Sequence, residues 1–141
     1  VLQLLPSTGR PQLDTRLGGS MPGFRNGVAW SNNLIEWTSI DVSQPLVAGK
    51  GYISTTGGAM SFSLPATAVV GSIIGIILAG ATSWTITQGA SQSITVSPVT
   101  TTIGVGGSVS SNSPGSSLAL VCTVANTSWV ANSSIGTFTI V

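Results

Sequence analysis

The chain has 141 residues, of which 42% are hydrophobic, 5% are charged and none is histidine. That length predicts one domain with a core of its own, and the charge fraction lies far below the roughly 25% of ordinary soluble domains. Four cations and three anions, a net charge of +1, leave no electrostatic footprint for nucleic acid. All seven charges (Arg10, Asp14, Arg16, Arg25, Glu36, Asp41 and Lys50) fall in the first fifty residues. From Gly51 to Val141 the only titratable side chains are Tyr52 and Cys122. General acid–base catalysis needs a side chain that titrates near the working pH. Without histidine, Ser-His-Asp, Cys-His and His-bearing zinc arrangements are ruled out, and Asp14, Glu36 and Asp41 lack calcium-loop spacing. The chain therefore reads as non-enzymatic, with no metal or cofactor.

Residues 1–33 contain Pro6, Pro11, Pro22 and the pair Gly18-Gly19. No period of 3.6 or 2 persists there, which predicts an extended N-terminal arm or linker. The opening Val1-Leu2-Gln3-Leu4-Leu5 has no basic flank, so it is not a signal peptide as it stands and reads as a processed or excised fragment. The ordered body is expected over 34–141. Ile35, Trp37 and Ser39 alternate with Glu36, Thr38 and Ile40 as a strand, Pro45 breaks it, and Gly49-Lys50-Gly51 is a turn signal. Strand signatures follow at Gly51–Ser54, Ser61–Leu64, Ile73–Leu78, Trp84–Gln88 and Ser93–Val96. Gly104–Ser117 reads as loop, and Leu118–Val124, Trp129–Ala131 and Thr137–Val141 close the chain as strands. Short strands at close spacing predict an all-β domain, an antiparallel β-sandwich of jelly-roll-like kind. Ala66–Ala81 carries no charge over sixteen residues. A spanning helix needs about twenty, and Gly71, Gly75 and Gly80 argue against one, so no membrane span is expected. Phe62, Leu64, Ile86, Leu120, Cys122 and Phe138 are the expected core. Cys122, in an apolar run, is read as a small buried hydrophobe.

Over residues 50–141 the chain resembles a module of phage tail-fibre tips and of the heads of bacterial surface proteins, including collagen-like adhesins. The residues that carry the resemblance are Gly51-Tyr52-Ile53-Ser54, Phe62-Ser63-Leu64-Pro65-Ala66-Thr67-Ala68-Val69-Val70-Gly71 and Trp84-Thr85-Ile86-Thr87-Gln88. It continues through Gln92-Ser93-Ile94, Thr100-Thr101-Thr102-Ile103-Gly104-Val105-Gly106-Gly107-Ser108, Val121-Cys122-Thr123-Val124-Ala125-Asn126-Thr127-Ser128-Trp129 and Ser134–Ile140. The resemblance implies a compact trimeric β domain at the end of a fibrous stalk. Such a domain is non-catalytic and displayed extracellularly, on a cell surface or on a virion. The segment Asn112–Ser117 departs from the charged and aromatic turn that relatives tend to carry there.

Two function classes follow. The first is a trimeric attachment head that binds a surface glycan; the second is a self-assembling structural subunit of an extracellular filament or shell, docked through its arm. Aromatic faces stack on sugars, so Trp30 and Trp37, with Arg25 and Lys50, form the candidate ligand-binding set, while Trp84 and Trp129 read as core. Asn126-Thr127-Ser128 and Asn132-Ser133-Ser134 match the glycosylation pattern, with a tight turn as the plainer reading of the first. An uncharged strand-rich surface favours self-association. The expected homo-oligomer interface comprises Val1, Leu2, Leu4 and Leu5 of the arm with Leu118, Leu120, Phe138 and Ile140.

Overall fold

Alternating side chains become strands where every second residue finds a core, and residues 35–141, those described by the computed structural model, form twelve strands and no helix. The strands are β1 (Glu36–Ile40), β2 (Gln44–Pro45), β3 (Lys50–Ser54), β4 (Ala59–Ser63), β5 (Ile73–Leu78) and β6 (Ser83–Thr87). They continue as β7 (Ser93–Val96), β8 (Val99–Thr100), β9 (Ser108–Ser111), β10 (Ser117–Val124), β11 (Ser128–Ile135) and β12 (Thr139–Ile140). Expectations placed on the 1–33 arm, including Val1, Leu2, Leu4, Leu5, Arg25 and Trp30, lie outside the described residues. No helix among the described residues is long and apolar enough to cross a membrane.

The strands form a seven-stranded sheet, β1-β3-β5-β10-β11-β7-β8, and a five-stranded sheet, β12-β9-β6-β4-β2. Inward side chains of both sheets belong to one apolar cluster, with Tyr52, Ile74, Ile76, Leu118, Leu120, Cys122 and Trp129 from the first and Met60, Phe62, Trp84, Ile86 and Val109 from the second. The architecture is all-β and sandwich-like. Each fully buried aliphatic or aromatic side chain contributes about 1.5–3 kcal/mol through removal from water.

The pairing corrects the antiparallel, jelly-roll-like expectation, because the sheets are mixed. The pairs β1–β3, β3–β5, β2–β4, β4–β6 and β7–β11 are parallel. The cause is the route of the chain. From β1 to β6 successive strands alternate between the two sheets, so neighbours within a sheet are two strands apart in sequence and run the same way. A parallel pair needs a crossover, and here a strand of the opposite sheet supplies it. Short turns between alternating runs resemble hairpin turns in sequence, but they carry the chain across the sandwich.

Two further expectations change. The stretch read as loop, Gly104–Ser117, contains β9, whose single large apolar side chain, Val109, is fully buried opposite Ile86 and Ile140 and is flanked in its own strand by serines. Phe138 is only partly buried and packs against the core from outside it, its ring centroid 5.9 Å from that of Trp84. It precedes β12, a two-residue strand at the edge of the sheet among the described residues.

Candidate functional site

Several loops meet at one end of the sandwich and hold each other through side-chain and backbone hydrogen bonds. Four connections lie there: β4–β5, β6–β7, β8–β9 and β10–β11. Asn126, at the β10–β11 turn, has φ +67°, a left-handed conformation that asparagine tolerates. Its Oδ1 accepts from Ala68 N at 2.8 Å, and its own N–H donates to Ala68 O at 3.0 Å. Asn126 thus acts as a turn-and-clasp residue. Gln92, 3% exposed, donates from Nε2 to Pro65 O (2.8 Å) and Asn126 O (3.2 Å) and accepts from Gly89 N (2.7 Å). Gln88, 6% exposed, donates to Gln92 O and to Thr102 O (2.8 Å) and accepts from Thr101 Oγ1 (2.7 Å). Thr101 Oγ1 in turn accepts from Ile94 N at 2.9 Å. Buried amides are tolerated only when their donors and acceptors are met; Gln92 meets its own on backbone, and Gln88 on backbone and the Thr101 hydroxyl. A depression of about 250 Å³ over this clasp is lined by Leu64, Ala66, Gly89, Ala90, Ser91, Gln92 and Asn126, but both side-chain polar atoms of its buried residue Gln92 are already engaged.

The candidate ligand set does not assemble as expected. Trp37 is opposite Gly51 in register, whereas Lys50 is opposite Glu36. Successive strand residues alternate in direction, so Trp37 and Lys50 face opposite sides of the seven-stranded sheet. Lys50 Nζ is 2.8 Å from Glu36 Oε1. Among the expected interface residues, Leu118 and Leu120 are 2% and 1% exposed. They point into the subunit's own core and offer no surface to a neighbour, which corrects their assignment. Phe138 and Ile140 are partly buried against the same core. The residues facing outward from these strands alternate with the ones singled out from sequence.

The Glu36–Lys50 pair lies at the surface. Its hydrogen bond, and secondarily the opposite charge, lowers the Glu36 carboxyl below its ordinary value and raises the Lys50 ammonium above its own. The Glu36 contribution is present above the unfolded carboxyl value, about 4.3, and is lost as pH falls through the lowered folded value. The Lys50 contribution is present below about 10.4 and is lost as pH rises through the raised one. Neither window reaches neutrality, and histidine is absent. Urea midpoints at pH 5 and pH 8 should therefore coincide; a shift between them would expose a titrating group that this account omits.

The two outer faces of the sandwich differ sharply. On the five-stranded sheet the outward residues form cross-strand rows of hydroxyls, Thr139–Ser110–Thr85–Ser61 and Ser108–Thr87–Ser63, with neighbours about 5 Å apart. A depression of about 190 Å³ opens there, lined by Ser83, Thr85, Ser110, Ser111, Asn112, Thr137 and Thr139. Drug-sized ligand cavities run to about 300–1,000 Å³, so this depression suits an edge of a larger molecule. Sequence reasoning weighed aromatics and cations and passed over these hydroxyls. The signal available was the run of Ser and Thr at alternate positions in three separate strands.

No protein-family model matches the chain, and no curated protein matches it.

Proposed function

We propose that this chain is a non-catalytic attachment head, displayed on a virion or cell surface, that holds a neutral glycan on the hydroxyl rows of its five-stranded sheet. The observation that carries this reading is the uncharged, hydroxyl-lined depression between β6, β9 and β12. Each Ser or Thr hydroxyl offers one donor and two acceptor lone pairs, the same set that a sugar hydroxyl offers in return. These side chains are short and stand on hydrogen-bonded strands, so little rotamer entropy is lost when they are engaged. A face without cations gives a polyanionic sugar no advantage, which selects neutral glycans.

A glycan array probed with the full chain tests the reading. Binding to neutral glycans is expected, weakened at least 10-fold by Thr85→Lys, which fills the depression. Retained affinity in Thr85→Lys would remove the site from this face, and binding confined to sialylated or sulfated glycans would overturn the ligand class. The reading as a structural subunit of a filament or shell draws on a different observation, the aliphatic outer face of the seven-stranded sheet. Concentration-dependent fibres in sedimentation would favour it over a head of discrete size.

A further inference from the structure

The outer face of the seven-stranded sheet is the reverse of the hydroxyl face. Its middle row runs Trp37–Gly51–Gly75–Ala119–Ser133 across β1, β3, β5, β10 and β11. The flanking rows are Ser39–Ile53–Ile77–Ser117–Ile135 and Ile73–Val121–Val130–Thr95. Trp37 is 44% exposed and Ile135 63% exposed, and Ile53, Ile73, Ile77, Val121 and Val130 are partly exposed. No charged side chain falls in these rows.

The indole of Trp37 lies across the two glycines. A Cβ at Gly51 would collide with Trp37 Cε3, and one at Gly75 would stand 2.7 Å from Trp37 Cη2. Glycine in a strand interior weakens the strand and often marks a close approach of something else. Here it seats the largest side chain of the face low against the sheet and keeps that face level.

We infer that this face is the surface through which the chain associates with a second copy of itself. Four properties argue for that occupant. Seven strands about 4.8 Å apart and five residues at about 3.3 Å each give roughly 500 Å² per subunit. Two such faces together reach about 1,000 Å², the area at which specific interfaces begin. Without charges, apposed copies meet no like-charge repulsion. Trp37, the two glycines and Ala119 form the level middle row, and Ile53, Ile77, Ile73, Val121 and Val130 stand in the rows on either side of it. Ser39, Ser117, Ser133 and Thr95 stand among and beside them, the mixture of apolar area and polar neighbours that ordinary interfaces have. Of the four edge strands, β8, β12 and β2 have only two residues, too short to template another strand. The fourth, β1, has five and begins on the exposed Glu36, a charge that discourages edge pairing. The inference is independent of what the hydroxyl face binds.

Sedimentation velocity of the full chain at micromolar concentration tests it. The unsubstituted chain should sediment as an oligomer. Ile77→Lys and Val130→Lys should each weaken association at least 10-fold with the far-ultraviolet β signal retained, while Thr85→Lys on the other face leaves it unchanged. Should a lysine variant fail to fold, Ile77→Cys labelled with a bulky maleimide keeps the test open. The thiol should label several-fold more slowly at concentrations where the chain is associated. A monomeric unsubstituted chain, an oligomer that survives both lysine variants, or labelling at equal rates would overturn the inference. So would flotation of monomer with phosphatidylcholine vesicles, which would assign the face to a lipid surface.

Discussion

Gln88→Leu should cost about 3–6 kcal/mol of folding stability, one of the largest single-residue effects expected in the described unit. Leucine keeps much of the volume but removes the acceptor for Thr101 Oγ1 and the donor for Thr102 O, while Gln92 O loses Gln88 Nε2 and keeps Gly104 N–H at 3.0 Å. Each buried polar group left without a partner costs about 1–3 kcal/mol, and a satisfied network is worth more than its separate pairs. Thr101→Val should cost less, because it removes the partner of Ile94 N and Gln88 Oε1 while the bonds from Gln88 Nε2 remain. Denaturant unfolding with unchanged slope measures both. A loss under about 1 kcal/mol for Gln88→Leu would mean that the loop end is held by its backbone bonds alone. The prediction bears on function as well: residues that hold the loop end together are conditions of folding, which leaves ligand choice to other parts of the surface.

Trp129→Ala should be similarly damaging, at about 3–5 kcal/mol, the usual cost of emptying an aromatic site in a closed core. Trp129 is fully buried, opposite Cys122 of β10 on one side and Ile94 of β7 on the other. Trp129→Phe should cost distinctly less. The indole Nε1 of Trp129 is buried without an acceptor among the described residues, so phenylalanine sacrifices volume but no hydrogen bond. The same holds for Trp84, whose Nε1 is also unpaired. A Trp129→Ala chain of normal stability with impaired sugar binding would reverse the assignment and make this residue a stacking platform. Equal losses for Ala and Phe would show that the indole N–H is bonded after all.

Much of this was legible in one dimension. A two-residue period marks the residues that share a face, whatever strand lies alongside. On that basis the positions of most strands, the burial of Trp84, Ile86, Leu120, Cys122 and Trp129, and the turn role of Asn126 follow from local pattern alone. The absence of histidine and the confinement of charge to the first fifty residues likewise need no structure. β9 escaped because two of its four residues face outward as serine and only Val109 is a large apolar residue facing inward. That leaves too little hydrophobic signal to register as alternation.

Tertiary structure decided the rest, for reasons of distance along the chain. A turn's residues indicate that the chain reverses; whether it lands beside the previous strand or on the opposite sheet depends on where every other strand lies. Hence the parallel pairs were invisible and only the hairpin reading was available. Gln88 and Gln92 looked like surface residues by type, because their burial is compensated by Thr102, Pro65 and Asn126, 14 to 34 positions away. The two outer faces were equally hidden. Each strand by itself shows only an apolar side and another side. The lateral stacking of β12, β9, β6 and β4 collects serines and threonines into one face, and that of β1, β3, β5, β10 and β11 collects isoleucine, valine and Trp37 into the other. Alternation is a local property of the backbone, whereas a surface is made by strand order, and strand order is settled only when the whole sandwich closes.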